Sequence, residues 1–318
     1  MTDNKSAFDY RPEMKACAEA INLRPPLIIQ PEDHWVELNG IRLHYLDWGN
    51  SHLPHLLLLH GGSLTAHTWD MAALLLRERY HIVAPDQRGH GDSDATPLQQ
   101  SKVDNYELML QDTAALIEYL GYDTISLCGM SMGALNAIRY TAHCPQRLSA
   151  LAIVDVGPTV MLEVRIEMEQ FRHETETMVE FEDFVERAIR FNPRRKPEHL
   201  RYSLIHSLKR VEGGWTWKQQ QRRSENQVTA EAHWKSEREE RARWMRADLG
   251  KIKIPTLLIR GEKSKMLSPE GAQDAVALLK DGELAVIKNA GHSVQGDNPA
   301  EFSKILDSFL TRQGIRTS

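Results

Sequence analysis

The stretch 125–140, ISLCGMSMGALNAIRY, decides the fold of this chain. A short apolar run leads into Gly-x-Ser-x-Gly (129–133), and a segment that favours helix follows. A serine between glycines at a strand-to-helix turn is typical of a nucleophile elbow, because only small neighbours fit so sharp a turn. Such a turn would raise the Ser131 hydroxyl above the sheet, and the Met132 N–H would face a developing oxyanion. We interpret Ser131 as a candidate nucleophile, against the alternative of a tight turn with a buried serine.

Apolar runs elsewhere in the chain predict the remainder of the sheet. They do not alternate with polar residues, which indicates strands buried on both faces, as in a parallel sheet. Helical periodicity at 109–120, and helix-like segments at 132–143 and 299–312, separate them. The pattern predicts an α/β fold with a mainly parallel, doubly wound sheet and helices on both faces. Asn39-Gly40 predicts a β-hairpin ahead of it. The runs are 56–59, 82–84, 125–128, 151–154, 256–259 and 284–287.

The strand–helix rhythm stops at about residue 158 and resumes at about 249. The segment between is densely charged and contains four of the seven tryptophans. We predict a helical cap at 158–248, a core formed by 33–157 and 249–318, and an N-terminal extension at 1–32. Trp215 and Trp217 are candidate substrate-binding residues, and the alternative is that they pack the cap onto the core.

Composition narrows the class of protein. The chain has 318 residues, with 39 basic and 44 acidic side chains and a net charge of −5, which argues against a nucleic-acid binder. No apolar run approaches the roughly 20 residues that span a bilayer, and the first residues lack the pattern of a secretory signal. Three scattered cysteines suit reduced thiols in a cytoplasmic protein. We therefore expect a cytoplasmic protein that acts on a small molecule, without nucleic-acid or membrane partners, and the sequence leaves a homodimer open.

Two further segments complete a candidate site. His60-Gly61-Gly62-Ser63 follows a predicted strand, so the N–H of Gly62, or that of Ser63, is a candidate second oxyanion donor. Ser63 is also a candidate substrate contact. His292 follows the last predicted strand, where it would lie at the ligand-binding edge of the sheet. The order serine, acid, histidine along the chain fits a triad of this kind.

Five motifs in this order resemble the α/β-hydrolase fold superfamily, in its serine-nucleophile, esterase-like branch with a cap. The resemblance covers roughly residues 33–157 and 250–312. It implies that Asp86, Arg88, Asp112 and Trp69 are structural, and it implies neither a metal nor an organic cofactor. Relatives that open epoxides or remove halides have aspartate as nucleophile, so Ser131 favours ester, thioester, lactone or carbon–carbon hydrolysis. The motifs are HGGS (60–63), DQRGHGDS (86–93), GMSMG (129–133), DVGP (155–158) and GHSVQGDNP (291–299).

The chain departs from this family at the acid that should orient the histidine. Most members carry an aspartate a few residues beyond the seventh strand, where this chain has Ser264 and Lys265. Asp155 at the end of the sixth predicted strand is the preferred replacement, and Glu262 is the alternative. Another alternative is that Asp155 only braces the entry to the cap. A further one is that no acid serves and the enzyme is impaired, because loss of the acid costs a triad about 10⁴ in rate.

These features predict a serine hydrolase that forms an acyl-enzyme. Ser131, His292 and Asp155 would be catalytic, and the N–H groups of Gly62 and Met132 would form the oxyanion hole. A carbon–carbon bond hydrolase or a cofactor-free perhydrolase on the same fold is one alternative. The other is a ligand-binding sensor with a degraded triad.

Overall fold

The computed structural model describes residues 8–100, 103–159, 177–219 and 227–315, with backbone only at 227–238. The core is an eight-stranded sheet, with the strands β1 (Glu32–Leu38), β2 (Ile41–Asp47), β3 (His55–Leu59), β4 (His81–Pro85), β5 (Ile125–Met130), β6 (Leu148–Val154), β10 (Thr256–Gly261) and β11 (Gly282–Ile287). Their order across the sheet is β1-β2-β4-β3-β5-β6-β10-β11.

The sheet has the predicted mixture of pairings. β1 and β2 form an antiparallel hairpin through Asn39 and Gly40, which have the positive φ angles that a tight hairpin turn requires. β2 is also antiparallel to β4, and every pairing from β4 to β11 is parallel. The parallel strands therefore end at one edge, where the residues after β3, β5, β6 and β10 come together.

Helices cover both faces of the sheet, which confirms the predicted α/β class. Along β3, Leu56 and Leu58 belong to one buried cluster, and Leu57 and Leu59 to the other. Such two-sided burial explains why the strand lacks alternating polar residues. The helices are α1 (Arg11–Ala20), α2 (Asp70–Leu76), α3 (Asn105–Tyr119), α4 (Met132–His143), α5 (Phe181–Phe191), α6 (Pro197–Ser207), α7 (Gln227–Lys251), α8 (Pro269–Ala277), α9 (Val294–Asp297) and α10 (Pro299–Arg312).

The segment that we predicted as a helical cap also contains a small antiparallel sheet. Its strands β7 (Thr177–Met178), β8 (Leu208–Val211) and β9 (Gly214–Trp217) have the order β7-β9-β8. Helices α5 and α6 pack beside it around Phe184, Leu200 and Leu204. Residues 160–176 and 220–226 of the expected cap lie outside the described residues, and the limits 158 and 248 stay predictions.

The N-terminal segment lies against both the core and the cap segment. Met14 and Cys17 of α1 are fully buried in the same cluster as Tyr202 of α6. Tyr10 precedes α1 and contacts the rings of His67 and His206 edge to face, with centroid distances of 5.3 and 4.6 Å. α1 thus packs where the cap segment meets the core. Among the described helices, none combines the length and apolar character needed to cross a bilayer.

Candidate active site

Ser131 occupies the sharp turn between β5 and α4. Its φ of 51° and ψ of −113° are unusual for a residue other than glycine. The flanking glycines are required by space: a Cβ at Gly129 would lie 2.3 Å from the Gly133 carbonyl oxygen, and one at Gly133 would lie 2.2 Å from that of Leu59. The turn therefore fits only this pattern of small residues, and it presents a partly exposed serine at the N-terminus of α4.

The loop after β3 lies directly beside this turn. A Cβ at Gly61 would be 2.4 Å from Met130 Sδ and 3.4 Å from Ser131 Cβ, and one at Gly62 would be 3.9 Å from Met132 Cβ. The structure thus brings the two residues that we predicted as oxyanion donors next to each other and next to the serine. Ser63 follows with a φ of 68°.

His60 has a structural role in this loop. Its Nδ1–H donates to the Gly61 carbonyl at 2.8 Å, and its Nε2 accepts from the Gln87 N–H at 2.9 Å. Burial lowers the pKa of His60, which keeps the ring neutral as this pattern requires. The Gln87 side chain also donates to the His60 carbonyl and accepts from Asn136 on α4. These contacts fix the glycine loop relative to the elbow.

Asp155 and His292 meet at the same edge of the sheet. Asp155 follows β6 with a φ of 54° and is fully buried. Its Oδ2 accepts a hydrogen bond from His292 Nδ1 at 2.8 Å, and its Oδ1 accepts one from the Gly261 N–H at 3.0 Å. The contact assigns the proton of His292 to Nδ1 and leaves Nε2 free to accept a proton.

The position where relatives carry the acid holds a supporting residue instead. The buried Ser264 hydroxyl donates to Asp155 Oδ2, so it satisfies the carboxylate that we identified further back in the chain. Lys265 is exposed. Glu262 is exposed as well, and its Oε2 accepts from the Asn289 N–H at 2.9 Å, on the backbone rather than on His292. Sequence reasoning missed the role of Ser264, for which a lone serine gives no signal.

A buried charged histidine braces the loop after β4. His44 lies between Asp33, at 3.0 Å from Nε2, and Asp86, at 2.7 Å from Nδ1. Burial opposes its charge, but these two hydrogen bonds and charges raise the pKa of His44 to about 9. Asp86 also accepts from the Ala66 N–H, while Arg88 pairs with Asp112. The resemblance implied structural roles for these acids, whereas His44 and Asp33 had not been singled out.

Trp215 and Trp217 lie in β9 of the cap segment and pack within it. The ring of Trp217 contacts Phe184 edge to face with a centroid distance of 5.4 Å, and that of Trp215 contacts Phe181 at 5.3 Å. Both tryptophans are half-buried. These ring contacts join the tryptophans to α5 of the cap segment. The two predicted roles, substrate binding and packing of the cap onto the core, both stay predictions.

A second group of polar side chains lies where the start of α2 meets α6 of the cap segment. His67 Nδ1 is 2.8 Å from Asp70 Oδ2, and His206 stacks on His67 with a centroid distance of 3.5 Å and an interplanar angle of 21°. A metal ion binds an imidazole nitrogen in the plane of the ring. Two rings stacked face to face cannot direct their lone pairs at one ion, so we interpret the cluster as hydrogen-bonded packing.

Comparison with known proteins places these features in a family. A model described as the alpha/beta hydrolase fold matches residues 54–299. The chain is 27% identical over 308 residues to the esterase Rv0045c of Mycobacterium tuberculosis, covering 92% of this chain and 93% of the esterase. It is 26% identical over 283 residues to a non-heme haloperoxidase of Rhodococcus erythropolis, with 86% and 97% covered.

A further relative and a solved structure extend the comparison. The chain is 25% identical over 311 residues to epoxide hydrolase 1 of Caenorhabditis elegans, covering 91% of this chain and 72% of that enzyme. The crystal structure of the Mycobacterium tuberculosis esterase matches this structure with a TM-score of 0.74 at 24% identity, over 96% of this chain and 99% of the other. The structural match shows a shared fold.

Proposed function

The chain belongs to the alpha/beta hydrolase fold family, and we propose that it is a serine hydrolase that cleaves a carboxylic ester, thioester or lactone through an acyl-enzyme. The contact between Asp155 and His292 carries the proposal, because it supplies an oriented base although the usual acid position holds Ser264. Ser131 at the elbow favours acyl chemistry, since the epoxide-opening branch uses aspartate there. The similarity to a mycobacterial esterase supports the same class.

The same catalytic groups act in both halves of the proposed reaction, the formation of the acyl-enzyme and its hydrolysis. His292 Nε2 accepts the Ser131 proton as Oγ attacks the acyl carbonyl, and Asp155 stabilises the imidazolium that forms. The N–H groups of Gly62 and Met132 donate to the oxyanion, a contribution of about 2.7–4 kcal/mol for each donor. His292 then protonates the leaving group. Water, deprotonated by His292, releases the acid and restores the serine.

Substitution of the nucleophile tests the proposal. Purified wild type is expected to hydrolyse p-nitrophenyl esters and to react covalently with a fluorophosphonate probe, and Ser131→Ala is expected to do neither. The two proteins should give the same circular dichroism spectrum and the same thermal midpoint. Hydrolysis by Ser131→Ala at the wild-type rate in a clean preparation would refute the proposal. A wild type that neither turns over nor reacts with the probe would instead favour the sensor alternative.

A perhydrolase is the second candidate, and the similarity to a non-heme haloperoxidase favours it. On the same residues, hydrogen peroxide in place of water would intercept the acyl-enzyme and release a peracid. Peroxide-dependent bromination of monochlorodimedone in acetate buffer distinguishes the two activities. A hydrolase should show ester cleavage without appreciable bromination, whereas a perhydrolase should show bromination that depends on Ser131 and on acetate.

A further inference from the structure

A hydrogen bond closes the loop that carries His292, the candidate base, by joining its two ends. Gly291 precedes His292, and its N–H donates to Asp297 Oδ2 at 2.7 Å. Asp297 is the last residue of α9, so its carboxylate reaches back across the loop. On the other side, Gly261 presses against this loop, because a Cβ there would lie 2.1 Å from the Gly291 carbonyl oxygen. Asp297 therefore helps to determine where the backbone of His292 lies.

The second oxygen of this carboxylate is held by the cap segment. Arg195 lies in the link between α5 and α6, and its Nε donates to Asp297 Oδ1 at 2.7 Å. The side chains of Arg195 and Asp297 are only 14% and 12% exposed. The guanidinium also lies against Gly296, where a Cβ would be 2.8 Å from Arg195 Nη2. The neighbouring Arg194 lies against the other end of the loop, where a Cβ at Gly291 would be 2.8 Å from its Nη2. The link between α5 and α6 thus contacts both ends of the loop that bears His292, and Arg195 is the residue that hydrogen-bonds Asp297.

We propose that Arg195 and Asp297 are positioning residues that couple the seating of the cap to the alignment of His292. The proposal rests on the serine-hydrolase function proposed above. Asp155 fixes the tautomer of His292, but the direction of Nε2 toward Ser131 also depends on the loop backbone. If the cap segment lifts, Arg195 leaves Asp297, the carboxylate loses its charge partner, and the hydrogen bond to Gly291 no longer has a fixed geometry. The base then loses its alignment.

The chemistry of the pair explains why it would act as a unit. Removal of one member leaves the other charge poorly compensated in a largely buried place, which is more damaging than removal of both. Residues of one ion pair show non-additive effects for this reason. The rate depends strongly on the position of the base, since a distant mutation that displaces a catalytic group by about 1 Å can lower the rate about 10²-fold.

The experiment compares Arg195→Met, Asp297→Asn and the double variant with wild type. Arg201→Met is the matched control, because Arg201 pairs with Glu182 on the exposed surface of the same cap segment. Arg195→Lys retains the charge without the planar group and serves as the conservative variant. Each protein is assayed for kcat and KM on a p-nitrophenyl ester and for the rate at which Ser131 reacts with a small fluorophosphonate, with thermal midpoints as the test of folding.

The expected result is a loss of kcat and of the labelling rate together, by about 10- to 100-fold, with KM little changed. Arg195→Lys should lie between wild type and Arg195→Met, the double variant should be no slower than the worse single variant, and Arg201→Met should match wild type. The small probe makes little use of the cap, so a fall in its rate reports on His292 rather than on substrate binding. Wild-type labelling and kcat in folded Arg195→Met and Asp297→Asn, or a change in KM alone, would overturn the coupling.

These outcomes separate the inference from the function that it rests on. If wild type labels at Ser131 and loses activity in Ser131→Ala, but the pair variants behave as wild type, only the coupling is wrong. If wild type fails to label, or Ser131→Ala keeps full activity, the proposed function and the coupling fall together.

Discussion

Replacement of Asp155 by asparagine tests the candidate site most sharply. The carboxylate accepts three hydrogen bonds, from His292 Nδ1, the Ser264 hydroxyl and the Gly261 N–H. An asparagine has one acceptor oxygen, which the Gly261 N–H would retain at Oδ1. Its NH₂ group would then face His292 Nδ1 and donate to it. His292 would carry its proton on Nε2, the nitrogen that must receive the proton of the nucleophile.

The size of the effect follows from this tautomer. In serine triads, a change of acid to amide that preserves the geometry lowers the rate about 10⁴-fold. A factor of 10⁴ corresponds to about 5.5 kcal/mol of transition-state free energy. The side chains are nearly the same size, so Asp155→Asn should fold. Ser264→Ala removes only one of the three donors, and we expect a smaller loss of about tenfold, the lower range for a hydrogen bond to a charged group.

Initial rates of p-nitrophenyl ester hydrolysis measure both effects, with burst amplitude as a check on the fraction of active sites. Glu262→Gln is the control, because Glu262 is exposed and accepts from the Asn289 backbone. We expect it to match wild type. A folded Asp155→Asn protein within about tenfold of wild type would refute the reasoning, and a loss confined to Glu262→Gln would transfer the role to that residue.

Three further predictions concern stability. Gly133→Ala would place a methyl carbon 2.2 Å from the Leu59 carbonyl oxygen, so urea denaturation should show a loss of about 3 kcal/mol; an unchanged midpoint would mean that the elbow can relax. The pKa of His44 is about 9 in the fold, against about 6.5 when unfolded, so its contribution is complete below about pH 6.5 and is lost as pH rises through 9. The thermal midpoint of wild type should therefore fall toward that of His44→Gln between pH 7 and 10, and parallel curves would contradict this. Tyr202→Phe removes the hydroxyl that donates to buried Asp70, which should cost about 1–3 kcal/mol of unfolding free energy in urea, and an unchanged midpoint would contradict a stabilising role for this hydrogen bond.

Local sequence patterns were enough for the central sheet and for some of the helices that cover it. α4 (Met132–His143) and α10 (Pro299–Arg312) span the predicted residues, and the hairpin at Asn39-Gly40 forms as expected. The signals there are local: glycine at a turn and apolar periodicity. Trp215 and Trp217 alternate as in a strand or extended loop after a Gly213-Gly214 turn, but the three-stranded sheet of the cap segment was not predicted, because none of its strands exceeds four residues.

The candidate acid could not be resolved from sequence, because the choice depends on long-range geometry. Asp155 and Glu262 each follow a strand, and neighbouring strands bring both close to His292. In the structure, Asp155 Oδ2 accepts a hydrogen bond from His292 Nδ1, whereas Glu262 accepts one from the N–H of Asn289. Neither contact can be predicted from the sequence alone.

The location of Asp155 ahead of the cap has a consequence for how such chains evolve and can be engineered. In the proposed assignment, the nucleophile, both oxyanion donors and the acid all lie within residues 33–157, and only His292 comes from beyond the insertion. An exchange of the inserted segment would therefore keep the nucleophile and its acid together, but it would have to retain Arg195 as the partner of Asp297. The turn after β10 supplies the Ser264 hydroxyl to Asp155 in place of a carboxylate. Searches that require an acid at that turn would classify this chain as inactive, although its candidate acid lies ahead of the insertion.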